Sequence, residues 1–81
     1  MSMDIEIRYF AAARAAAGAS SVLVHAGTLE SILNQQSEGN SELTRVIAQC
    51  SFLVDSLVTE DFNQYIKPGS VIDVLPRFAG G

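Results

Sequence analysis

Residues 4–10, Asp4-Ile5-Glu6-Ile7-Arg8-Tyr9-Phe10, alternate from one side of the chain to the other. Ile5, Ile7 and Tyr9 fall on one side, and Glu6, Arg8 and Phe10 on the other. A period of two predicts a strand covered on one face by a core. Phe10, on the polar side, either folds under the next loop or stands as an exposed contact. Ala11 to Ala17 is alanine with a single arginine and is followed by Gly18. Alanine is the best helix former, and glycine suits the left-handed position that closes a helix. Seven residues are too few to hold a helix alone, so this segment must dock on something.

A second strand is predicted over Ser20–Ala26, around Val22-Leu23-Val24. Gly27-Thr28 breaks it, with Thr28 placed to cap a helix carrying Leu29, Ile32 and Leu33. Ser37-Glu38-Gly39-Asn40 ends that run. Asn40 or Ser41 caps another, in which Leu43, Val46 and Ile47 align. The two runs are one helix with an excursion or two helices with a sharp joint. Ser51-Phe52-Leu53-Val54 resumes strand character, and Asp55-Ser56 turns into Leu57-Val58. Residues 59–69 are polar and loop-like, closing with Lys67-Pro68-Gly69. The last strand is Ser70–Leu75, which Pro76 stops by withholding a backbone donor.

Strand, short helix, strand, helix and further strands define an α+β domain, a single sheet of four or five strands with its helices on one face. The expected core is Ile5, Ile7, Tyr9, Leu33, Leu53, Val71 and Val74. The domain is expected over residues 1–75. Residues 76–81 are expected to form an extended tail, which is free beyond the sheet edge if the first and last strands are neighbours.

At 81 residues the chain suffices for one small domain. Apolar residues make up 48% of it, which implies a dense core together with apolar surface left for a partner. The net charge is −4 and the five basic residues do not cluster, which argues against a nucleic-acid surface. The acidic balance suits a partner with a basic docking surface. Cys50 is the only cysteine, so no internal disulfide is expected and the cytoplasm is the expected compartment. Its simplest role is a small buried side chain at a helix end. Cys50 and the only histidine, His25, cannot supply the three or four ligands of a zinc site. No signal peptide and no apolar run long enough to span a membrane are apparent.

The chain closes on Pro76-Arg77-Phe78-Ala79-Gly80-Gly81. Glycines without a Cβ pass through a channel too narrow for ordinary side chains. The six residues reach roughly 20 Å when extended. Ordering them in a partner costs on the order of 1–2 kcal/mol per residue. Burial of Phe78 offsets about 1.5–3 kcal/mol of that. Phe78 reads as an anchor and Ala79-Gly80-Gly81 as a probe that carries a carboxylate inward. A carboxylate reacts only once activated, so this pattern describes a protein that is another enzyme's substrate.

Two blocks carry a family resemblance: Ile7-Arg8-Tyr9-Phe10-Ala11-Ala12-Ala13-Arg14-Ala15-Ala16-Ala17-Gly18, and Val74-Leu75-Pro76-Arg77-Phe78-Ala79-Gly80-Gly81. With them the chain resembles the small subunit of molybdopterin synthase, a ubiquitin-like sulfur carrier of the β-grasp fold. The resemblance implies that an adenylating enzyme related to ubiquitin activators uses ATP and magnesium to activate Gly81. A sulfur donor then converts it to a thiocarboxylate. The tail enters the large synthase subunit, in a heterodimer or heterotetramer, and passes sulfur to cyclic pyranopterin monophosphate. It further implies that Gly81 carries the sulfur, Gly80 and Ala79 allow passage, and Phe78 and Pro76 position the tail; Phe10 and Arg77 are expected as partner contacts from their own places in the chain. The chain has no turnover of its own on this reading, and it holds no metal and no permanent cofactor.

Two positions depart from the family pattern. Arg77 stands where a second proline is common, and either binds a partner carboxylate or is a neutral local change. Asp55-Ser56 stands where the hairpin often has glycine second, and serine is poorer at positive φ. The alternatives are a sulfur carrier for thiazole or cysteine synthesis, a protein modifier joined to lysines through Gly81, and an interaction domain with an inert tail.

Overall fold

Ile5, Ile7 and Tyr9 turn inward while Arg8 stays exposed, as the alternation requires. The computed structural model describes residues 4–77. Along the chain these form β1 (Ile5–Tyr9), α1 (Ala12–Ala17), β2 (Ser21–Val24), β3 (Gly27–Thr28), α2 (Leu29–Ser37), α3 (Ser41–Ile47), β4 (Cys50–Val54), β5 (Leu57–Thr59), β6 (Tyr65–Ile66) and β7 (Val71–Pro76). Five strands make one mixed sheet in the order β2-β1-β7-β4-β5. The first and last strands are neighbours and run parallel, with Ile7 beside Ile72 and Tyr9 beside Val74. The other pairings in this sheet are antiparallel. The expected α+β class forms, with the helices on one face of the five-stranded sheet, but β3 and β6 make a second, two-stranded sheet that the single-sheet expectation missed.

α1 is six residues long and is held by its neighbours. Alanine side chains let it lie close to β1 and β7, with Ala13 fully buried. Gly18 ends it at φ 78, its amide donating to the Arg14 carbonyl at 2.9 Å. Asn40 ties it to the next layer by donating its side-chain amide to the Ala16 carbonyl at 3.0 Å. The entry into α1 is strained. Ala11 sits at φ 52, ψ −126, while the Phe10 carbonyl accepts from the Ala13 amide at 3.0 Å. Glycine adopts that conformation readily. For alanine it costs on the order of 1–3 kcal/mol, which the surrounding packing must offset.

The helical region consists of two helices, separated at Gly39 (φ 74). Thr28 caps α2, its hydroxyl accepting from the Ser31 amide at 3.1 Å. Asn40 caps α3, its side-chain oxygen accepting from the Leu43 amide at 3.0 Å. Two further amides at the start of α2, Leu29 and Glu30, donate to the Gln64 and Phe62 carbonyls. The segment 59–69 is therefore more than a polar loop. It satisfies a helix N-terminus, and within it β6 pairs with β3, burying Ile66.

Leu29, Ile32, Leu33 and Leu43 from the helices meet Ile5, Ile7, Tyr9, Phe52, Ile72 and Val74 from the sheet in one core. Tyr9 is 2% exposed and donates its hydroxyl to Gln36 Oε1 at 3.3 Å. Burial pushes its pKa up to about 12, so it stays neutral across the physiological range. Two expected core residues lie elsewhere. Leu53 and Val71 are only half-buried. In β4 the inward positions are Cys50 and Phe52, and in β7 they are Ile72 and Val74. Leu53 and Val71 alternate with these and face the other side.

The β4–β5 hairpin turns through Asp55 (φ 51) and Ser56 (φ 72), between paired Val54 and Leu57. Positive φ at both central residues is the type I′ requirement, met here with serine in the second place. Asp55 compensates by bridging to β7: its amide donates to the Val71 carbonyl at 2.9 Å and its Oδ1 accepts from the Val71 amide at 3.0 Å. That bond, the Ser70 hydroxyl and nearby Lys67 hold the Asp55 carboxyl below the usual carboxylate range. Ser56→Gly removes the strain and is expected to stabilise the domain by about 0.5–1 kcal/mol, the left-handed penalty less glycine's extra unfolded entropy. That is a rise of roughly 2–8 °C in Tm by calorimetry. An unchanged or lower Tm would show that the turn carries no such strain.

Candidate functional site

The end of β7 is where the expected tail begins. Pro76 is the last residue of the strand, opposite Cys50. Arg77 still belongs to the sheet: its amide donates to the Gln49 carbonyl at 3.1 Å, and its Nε donates to Ser51 Oγ at 3.3 Å. The junction anticipated after residue 75 therefore remains tied down through Arg77. Pro76 and Arg77 also line a notch of about 250 Å³ with Ala12, Arg45, Val46 and Gln49. Phe78, Ala79, Gly80 and Gly81, assigned above as the anchor, the passage and the reacting end, lie outside the described residues.

Phe10 is 39% exposed, so it does not fold under the next loop. Its amide donates to the Val74 carbonyl at 3.1 Å, extending the β1–β7 pairing by one residue. The alternation therefore places Phe10 on the same face as Arg8, away from the helices. The registers bring Leu23, Leu53, Val58 and Leu75 to that face as well. Leu23 and Val58 are well exposed. The helix-free face of the sheet thus carries apolar side chains from β2, β4, β5 and β7.

At the centre of this face Arg8 and Asp73 are side by side on the parallel strands β1 and β7. Arg8 Nε donates to Asp73 Oδ1 at 2.6 Å and Nη2 donates to Oδ2 at 3.0 Å. Asp73 is buried, and its hydrogen bond and charge raise the Arg8 pKa still further above neutrality. A bidentate pair is rigid and satisfies both groups. It lets a partner cover the face without stranding a charge. No local pattern signals this pair, because its members are 65 residues apart.

Cys50 is buried, as expected, but opens β4 instead of ending a helix. Its Sγ donates to the Val46 carbonyl at 3.2 Å, and burial pushes its pKa up against a smaller opposing pull from Arg77. A thiol so placed is a poor nucleophile. His25 is exposed just past β2. Among the described residues no group of three or more His, Cys, Asp or Glu is placed to hold a metal ion. No helix among them is long and apolar enough to cross a membrane. The described residues thus supply a chain tied to the sheet as far as Arg77 and an apolar face beside it.

This architecture is the β-grasp fold of the ubiquitin-like carriers. The ThiS family profile matches residues 7–81, so the chain belongs to the ThiS family. No curated protein sequence matches it. Among solved structures, a chain described as molybdopterin converting factor, subunit 1, from Pyrococcus furiosus superposes with a TM-score of 0.81 at 16% identity, covering 95% of this chain and all of that one. The small archaeal modifier protein 1 from Methanosarcina acetivorans gives 0.79 at 17% identity, covering 95% of each chain. A complex of subunits 1 and 2 of the molybdopterin-converting factor from Helicobacter pylori contains a chain that gives 0.69 at 22% identity, covering 95% of this chain and 97% of that one.

Proposed function

We propose that the chain is a sulfur carrier whose reacting group is the Gly81 carboxylate. The observation that carries this reading is a ThiS-family match that runs through Gly80 and Gly81, on a fold that ties the chain down as far as Arg77. In the proposed cycle, a carboxylate oxygen attacks the α-phosphate of ATP, with magnesium, in an adenylating enzyme of the ubiquitin-activating type. Pyrophosphate leaves. A persulfide sulfur then displaces AMP at the acyl carbon, and a second thiol cleaves the acyl disulfide to leave the thiocarboxylate.

The loaded chain acts in the cytoplasm as the small subunit of molybdopterin synthase, giving its sulfur to cyclic pyranopterin monophosphate in the large subunit. A dithiolene holds two sulfurs, so two loaded copies are consumed, which suits a heterotetramer. The Helicobacter pylori complex of subunits 1 and 2 supports a large-subunit partner. The apolar face bearing Phe10, Leu23, Val58 and Leu75 is a surface on which such a partner can seat. The chain has no turnover of its own, because its contribution is the positioned acyl group.

Loading is read by intact mass. Incubation with the cognate adenylating enzyme, ATP, magnesium and a sulfur donor is expected to add about 16 Da, one sulfur for one oxygen. No gain with an enzyme shown to activate its own carrier would sink the proposal. The likeness to modifier proteins favours one second reading, in which activated Gly81 is joined to lysines of other proteins. That reading predicts isopeptide-linked adducts in lysates, which the carrier reading does not. Retained molybdoenzyme activity with thiamine auxotrophy in a deletion strain would point instead to thiazole synthesis.

A further inference from the structure

The last bond of the β4–β7 ladder is made by Arg77, whose amide donates to the Gln49 carbonyl at 3.1 Å. Pro76 has no N–H, so this amide is the only backbone donor that the described chain offers after Leu75. A terminal ladder bond at an exposed residue is the kind that opens first, because water competes for both partners. The side chain of the same residue reaches back to the same strand, where its Nε donates to Ser51 Oγ at 3.3 Å. Gln49 and Ser51 flank Cys50, which pairs with Pro76. Arg77 therefore holds two points on either side of Cys50, the turn residue Gln49 just before β4 and Ser51 within it. Ser51 is half-buried and its position is set by pairing with Leu75, so the hook is anchored to the sheet itself.

We infer that Arg77 is a positioning residue: by hooking Ser51 it keeps the final amide of the ladder closed and fixes the direction in which the chain leaves the sheet. Its consequence for loading rests on the carrier reading. Four residues beyond Arg77 reach about 13 Å, and an angular error at the root grows along that reach. A fixed root sets the direction from which the last residues are offered, and so raises the effective concentration of the Gly81 carboxylate at a partner's site. The role open for Arg77 in the sequence is thereby filled from within the chain, with no partner carboxylate required.

Ser51→Ala tests this while leaving the arginine charge in place. Two quantities are read: hydrogen exchange of the Arg77 amide in the isolated chain, and kcat and KM of the chain in ATP–pyrophosphate exchange with the cognate adenylating enzyme. Ser51→Ala and Arg77→Ala are each expected to speed exchange at residue 77 by about three- to tenfold, the effect of one exposed hydrogen bond, with Ile72 and Val74 unchanged. Both should raise KM by a similar factor with kcat unaltered. The double variant should be no worse than Arg77→Ala, and Ser51→Thr, which keeps the hydroxyl, should behave as wild type. Unchanged exchange at residue 77 in Ser51→Ala overturns the inference. So does a raised KM in Arg77→Ala alone, which would place the guanidinium on the partner. A wild-type chain that supports no pyrophosphate exchange overturns the carrier reading, and the amide comparison then decides the hook by itself.

Discussion

Adding one residue after Gly81 is expected to abolish loading and leave the fold untouched. In the proposed cycle the reacting atom is the carbonyl carbon of Gly81, and one more residue moves the chain end by about 3.3–3.8 Å. A misplacement of even 1 Å can cost about a hundredfold in rate, and a side chain on the added residue would meet a passage suited to glycine. Loading should therefore fall by more than about a hundredfold for an added alanine, read by intact mass. Removing Gly80 and Gly81 should do the same from the other direction. Neither change reaches the core, whose members lie between Ile5 and Val74, so both variants should melt with the wild-type chain. An extended chain that loads at the wild-type rate would mean that Gly81 is not where sulfur is attached.

The largest loss of stability is expected from Ile7→Ala. Ile7 is fully buried at the centre of the sheet, with Val22 opposite it on one side and Ile72 beside it on the other. Both neighbours are fixed in strands, so the cavity cannot close. Truncating isoleucine in such a place costs about 2–5 kcal/mol. At roughly 4–8 °C per kcal/mol for a domain of this size, Tm should fall by about 8–40 °C. Leu53→Ala is the control. Leu53 lies on the opposite face and is half-buried, so it should lose less than half as much. Equal losses at the two positions would contradict the assignment of faces in β4 and β1. Thermal unfolding by circular dichroism measures both.

Much of this architecture is legible in the sequence where a single element carries its own signal. The Ile5–Tyr9 alternation, the alanine run closed by Gly18, and the caps at Thr28 and Asn40 are local, and local chemistry decides them. The pair of helices needed only the positive φ at Gly39 to separate them. What escaped the sequence depends on distance or on parity. Phe52-Leu53-Val54 and Val71-Ile72 are continuous apolar runs, in which periodicity does not say which member faces the core. Register decides it, and register is set by partners far along the chain. β6 is two residues in a polar segment, and only its pairing with Gly27-Thr28 makes it a strand. The Arg8–Asp73 pair and the hook of Arg77 on Ser51 likewise exist only once β7 lies between β1 and β4. On the site side, Phe10 stands out in the sequence as the odd residue on a polar face, while Leu23 and Val58 carry no separate signal because strand apolar residues are usually core.

β1 and β7 lie side by side and point the same way, so a pull applied between residue 4 and residue 77 slides one strand along the other. Shear loads the whole row of bonds between them at once, whereas peeling would break them singly. A partner that holds the globule near residue 4 and draws on the chain after residue 77 would load that row in shear.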